Sequence, residues 1–171
     1  ALQQIRVQYR WEAIDQENNE IELAKQTKQK YKPCFLENGD TPKQLLAQSR
    51  YLLFKPKNKW TVKQSIRAGI LFKYYPDLEE AYKLTRELGI IYQKTKDKSI
   101  AYTKLAQWHN KIENSKFSKT FGTVARSIQN HYRNILNFFD NRSTNAAAES
   151  FNAKIKAFRA QFRGVKLIPF F

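Results

Sequence analysis

Apolar side chains recur along this chain mainly at intervals of three and four, the spacing of amphipathic helices that bury one face. Leu2, Ile5, Tyr9 and Ala13 share one side of a helix predicted to run from residue 2 to about residue 30. Lys32-Pro33 and then Asn38-Gly39-Asp40 mark a loop. Thr41-Pro42 is a start signal, because proline is tolerated at the first helical position, and the helix it opens should end near residue 50. Residues 51–55, YLLFK, are the one strand candidate, with a helical extension as the alternative; Pro56 stops the run. Thr61 caps a further helix to about residue 75, where Pro76 ends it. Helices are also predicted from Asp77 to about 94, over 98–113 and over 120–139. Near the end, Phe151, Ile155, Phe158 and Phe162 fall at relative positions 0, 4, 7 and 11, a buried stripe. Glu149, Asn152 and Lys156 fall at 0, 3 and 7 and form a polar stripe on the same cylinder. Ser143, Thr144 and Asn145 offer oxygens to its first amides, and Gly164 is a natural stop.

Composition narrows the chemistry. The 171 residues make about one domain, enough to bury a core. Lys and Arg outnumber Asp and Glu by 31 to 15, for a formal charge of +16, which points to a polyanion, most often nucleic acid. The excess is uneven. Residues 50–73 hold Arg50, Lys55, Lys57, Lys59, Lys63, Arg67 and Lys73 without one acid, and residues 141–171 hold six basic side chains against Glu149 alone. Acids gather at 15–22 and 77–80, which read as outer helix faces. Tyr51, Phe54 and Trp60 alternate with Lys55, Lys57 and Lys59. That mixture suits aromatic and phosphate contact with DNA, or else buried aromatics beneath an exposed lysine loop.

Other chemistries lack support. Cys34 has no intrachain partner, which fits a reducing compartment and excludes a disulfide framework. His109 and His131 have no Cys or acid ligands at zinc spacing, and no phosphate-binding glycine loop is present. No apolar run reaches membrane length and no signal peptide opens the chain. Ala1 falls inside a helical pattern and the chain stops on Ile168-Pro169-Phe170-Phe171, so the expectation is a piece of a longer protein. A lone acid near a helix start, with cations further along, is what a metal site facing phosphates requires. It is also what a plain amphipathic surface helix looks like, the more common case since charged faces are usually solvated.

The run NFFDNRSTNAAAESFNAKIKAFRAQFRGVKLIPFF resembles the C-terminal end of DDE-type transposases of bacterial insertion sequences, in particular the ISL-three (ISL3) group. That group's pattern N-x-x-x-E-x-x-N-x-x-I-K reads here as Asn145, Glu149, Asn152, Ile155 and Lys156. The resemblance continues through RWEAIDQEN and GDTPKQLLAQSRYLLFK and covers essentially the whole chain. It implies a mainly α fold, the helical fragment of an interrupted ribonuclease-H-like catalytic domain, with at most one or two short strands. Residues 1–59 would then be the C-terminal part of that core, 60–135 the helical insertion, and 136–171 the terminal core helix.

By the same resemblance Glu149 is the catalytic residue and metal ligand, the third acid of the set. Lys156, on the same face, would contact a DNA phosphate, with Arg142, Asn152, Lys154 and Arg159 as further DNA-binding residues. The family's other two acids precede the equivalent of Ala1, and none of Asp15, Asp40, Asp77 or Asp140 has matching context. Some related transposases place an Arg four residues before the acid; that position is Asn145 here, and Arg142 lies one turn earlier. The implied cofactor is Mg²⁺ (or Mn²⁺) in the full-length enzyme, two ions about 4 Å apart activating a water or a 3′-hydroxyl, with none bound by this fragment. The implied partners are double-stranded DNA at element ends and target, and further copies of the chain on that DNA, with no membrane. The implied location is the bacterial cytoplasm, on the nucleoid. Holding one acid of three, the chain alone is expected to be inactive. The alternatives are a non-catalytic basic helical module that binds nucleic acid, and a helical interaction module whose charge is incidental.

Overall fold

The structure, a computed structural model, describes residues 1–141 together with 153, 154, 156 and 157. Among these residues it is helical without a strand. α1 is Leu2–Gln26, α2 Pro42–Gln48, α3 Val62–Tyr74, α4 Pro76–Lys94, α5 Lys98–Glu113, α6 Ser118–Asn130 and α7 Tyr132–Asn141. Two 3-10 turns, Leu52–Phe54 and Lys57–Lys59, join α2 to α3.

Local chemistry starts these helices where the sequence suggests. At Thr61 the box is reciprocal: Gln64 N–H donates to Thr61 Oγ1 at 3.2 Å, and Thr61 N–H donates to Gln64 Oε1 at 3.2 Å. Thr41 N–H donates to Gln44 Oε1 at 2.9 Å, with Pro42 in the first turn. Asp97 accepts from Ile100 N–H at 2.9 Å and opens α5.

The apolar stripes then select the packing. α1 lays Leu2 and Ile5 against α2, whose Leu45 and Leu46 are fully buried. Arg6 is buried beside them, donating from Nη1 to Leu46 O at 2.8 Å and from Nε to Gln3 Oε1 at 2.7 Å. It thereby serves a carbonyl near the end of α2, where helices run out of internal donors. α4 packs on α1, α3 and α5, and α5 in turn carries α6 and α7. Trp108 fills the centre of that second half and donates its indole N–H to Leu84 O at 2.9 Å.

Two expectations change. The strand at residues 51–55 is instead the first 3-10 turn. Leu52 and Leu53 are adjacent and both fully buried, which the alternating faces of a strand do not allow on a one-sided core. The predicted helix over 120–139 is two helices that break at His131. Continuing the stripe Phe121, Ala125 and Ile128 at helical spacing would bury Tyr132; Tyr132 is exposed instead, while Ile135 packs partly buried against the core and Leu136 is buried. Past the break, Leu136 and Phe139 are the buried side chains of α7, which packs on α5. Of the terminal helix predicted around Glu149, only residues 153, 154, 156 and 157 are described, and they are helical; Glu149 lies outside the described residues.

Asp77, expected on an outer face, ties three segments together. Its carboxylate accepts from Tyr9 Oη of α1 at 2.8 Å and from Lys116 Nζ at 2.5 Å in the α5–α6 turn. Those two hydrogen bonds, Lys116 first, hold Asp77 below the usual carboxylate pKa, while burial and Asp77 push Tyr9 up to about 12. A carboxyl that is more acidic folded than unfolded contributes stability above its unfolded value of about 3.9 and loses it as pH falls through the folded value. Asp77→Asn should therefore lower stability by about 1 kcal/mol at neutral pH, a modest figure because the side chain is one-third exposed. Melting curves of variant and parent should converge as pH drops below 4; a constant gap at every pH would remove the charge from the account.

Candidate nucleic-acid interface

The residues singled out by sequence divide sharply. Glu149, Arg142, Asn152 and Arg159 lie outside the described residues. Lys154 and Lys156 are helical and exposed. Among the described residues no group of three or more His, Cys, Asp and Glu side chains converges as a metal site. His109, with Nδ1 3.5 Å from Glu113, forms a simple pair one turn apart on α5. The described residues therefore do not by themselves hold the metal set that the resemblance implies.

The basic segment 50–73 is described in full. Part of it is neutralised from the α1–α2 loop. Gly39, at φ +79, allows the turn that precedes Asp40. Asp40 meets Arg67 Nε at 3.3 Å, and Glu37 pairs with Lys73. Arg50 lies over the Tyr51 ring, 5.5 Å from its centroid. Lys55, Lys57, Lys59 and Lys63 are exposed and form no ion pair among the described residues.

The aromatics interleaved with these lysines separate into two groups. Trp60 turns inward: its indole N–H donates to Leu52 O at 2.8 Å, and its ring packs 5.6 Å from Tyr82 and 6.3 Å from Phe72. Tyr51 and Phe54 point outward, 67% and 61% exposed. The first 3-10 turn explains the split, because burying both Leu52 and Leu53 leaves their neighbours on the solvent side. The alternative of buried aromatics holds in part for Trp60, which is half-buried, and fails for Tyr51 and Phe54.

Phe54, Lys57 and Lys59 form one wall of a groove of about 750 Å³ whose other wall is α4, with Arg86, Ile90 and Lys94. Of its other charged members, Lys83 pairs with Glu79 at 2.9 Å, and Glu87 pairs with Lys111. Lys57, Lys59, Arg86 and Lys94 form no ion pair among the described residues and leave the groove positive. Sequence reasoning identified the lysines but not the α4 wall. Only Ile90, an apolar residue left 45% exposed, hints at it.

A family model described as a transposase, that of the ISL3 group, matches residues 1–171. The chain belongs to the ISL3 transposase family. Its function is accordingly DNA transposition, and DNA is the partner its family implies. Transposases of this family generally use divalent metals. No curated protein and no solved structure matches the chain. Among the described residues, no helix is long and apolar enough to cross a membrane.

Proposed function

We propose that this transposase chain is the C-terminal part of a metal-dependent catalytic domain that cleaves and joins DNA strands at element ends. The observation that carries the reading is the family match over the whole chain. Glu149 supplies the last of three metal-binding carboxylates, a hard oxygen ligand of the kind Mg²⁺ prefers. Lys156, Arg142, Lys154 and Arg159 face DNA phosphates, and Asn152 orients the carboxylate or a nucleotide. Residues 1–59 and 136–171 belong to a ribonuclease-H-like core and 60–135 to its helical insertion. The working unit is an oligomer on paired ends.

The test uses the chain itself. It should bind duplex DNA with an affinity that falls steeply with salt, a log–log slope of about −0.9 for each phosphate contact. It should show no Mg²⁺-dependent nicking, because a single carboxylate does not hold two ions. A flat salt response would remove the DNA surface, and nicking by rigorously purified chain would mean that the remaining acids lie within it.

A further inference from the structure

We infer that the groove between the two 3-10 turns and α4 binds an unpaired DNA strand, with Phe54 stacking on a base. This rests on the DNA reading above and adds which form of DNA the groove takes and which residues hold it.

The first ground is charge. Lys57 and Lys59 on one wall face Arg86 and Lys94 on the other, and none of the four forms an ion pair among the described residues. The lining carries one carboxylate, Glu87, which pairs with Lys111 outside it, and one of its lysines, Lys83, pairs with Glu79. An occupant of opposite charge running along the groove meets cations on both sides.

The second ground is the apolar surface set among those cations. Phe54 is 61% exposed and Ile90 is 45% exposed, although both could have been polar on a surface facing only water. A duplex presents phosphates and sugars at this scale, with its base faces stacked inward, and has nothing to place against Phe54. An unpaired strand offers both parts at once: a backbone for the lysines and exposed π-faces for the ring. An acidic peptide would satisfy the cations but leave the aromatic surface without purpose.

The third ground is rigidity. Phe54 is not on a floppy loop. Leu52 and Leu53 bury the turn beneath it, and Trp60 clamps the two turns together through Leu52 O at 2.8 Å. Tyr82 Oη, from the α4 wall, donates to Lys55 O at 2.8 Å and holds the two walls at fixed separation. A preset cleft loses little entropy when a strand enters it.

The experiment compares two probes on the full 171-residue chain. One is a labelled oligo-dT of about 20 nucleotides, longer than a single such site, and the other a duplex of equal length. Phe54→Ala should weaken oligo-dT binding by about five- to a hundredfold, the effect of losing one stacked base. Duplex binding should stay within about twofold, and Phe54→Trp should restore the single-strand affinity. Replacing Lys57 and Lys59 together by Ala should flatten the single-strand salt slope by about 1.4, or 0.7 per contact. An unchanged melting temperature checks the fold of each variant, as expected for exposed side chains.

Equal losses on both probes, or none on either, would overturn the inference. So would displacement of oligo-dT by polyglutamate at matched charge, which would show that the groove reads charge alone. Salt-sensitive duplex binding without oligo-dT binding would sink this inference and leave the DNA reading standing. Failure to bind either probe would overturn both.

Discussion

Glu149→Ala in the full-length transposase should reduce DNA cleavage by about a thousandfold or more while binding of element ends changes only a few-fold. The size follows from the proposed role of Glu149 as a metal-binding carboxylate, which would support transition-state charge stabilisation of several kcal/mol, at about 1.4 kcal/mol per tenfold in rate. The selectivity follows from composition. Residues 141–171 carry six basic side chains against this one acid, so removing it adds no cost to phosphate contact and relieves local repulsion with the backbone. Glu149→Gln, which keeps the size and loses the charge, should be as inactive as Ala. End-binding by gel shift and strand cleavage on the same DNA separate the two functions. Cleavage at parental rate in either variant removes Glu149 from the site.

The largest structural effect is expected at Trp108. Its side chain is fully buried at the junction of α5 with α4, and its indole N–H donates to Leu84 O at 2.9 Å. Trp108→Ala should cost about 3–5 kcal/mol, the combined loss of apolar transfer and a cavity the surrounding helices fill only in part. For a chain of this length that is a fall in melting temperature on the order of 10 °C. Trp108→Phe, which keeps most of the apolar surface and loses the donor, should cost less than half as much. Trp11, 60% exposed on α1, is the control: Trp11→Ala should change stability by no more than about 0.5 kcal/mol. Thermal unfolding followed by circular dichroism reads all three, and a Trp108→Ala cost as small as that of Trp11→Ala would mean that α5 does not pack as described.

The success of sequence reading follows the range of the interactions involved. Thr61, Pro76 and the bounds of α5 were legible because caps, proline and helical periodicity act within four residues. Residues 51–55 read from sequence as a strand candidate or a helical extension, because a short apolar run is compatible with either, and only the demand that both leucines enter one core decides. The break at His131 was hidden for a related reason. Helical spacing persists on both sides of it, and nothing in the apolar pattern marks the interruption between Asn130 and Tyr132.

The functional residues follow the same rule. The lysine run and its interleaved aromatics are local and were read directly. That Phe54 faces out while Trp60 faces in, and that α4 supplies the opposite wall, depends on contacts some thirty residues apart along the chain. Asp77 is the sharpest case: its acid-rich neighbourhood reads as solvated surface, yet Tyr9 and Lys116, 68 and 39 positions away, converge on it.

By itself, the amino-acid order determined helix content, the strongly basic surface and membership of a transposase family, because periodicity, net charge and motif spacing are properties of near neighbours. Tertiary structure alone decided which cations lack an ion pair among the described residues, which aromatic ring meets solvent and which helix forms the second wall of the groove. Those outcomes depend on which distant side chains arrive at the same place, and long-range packing brings them there.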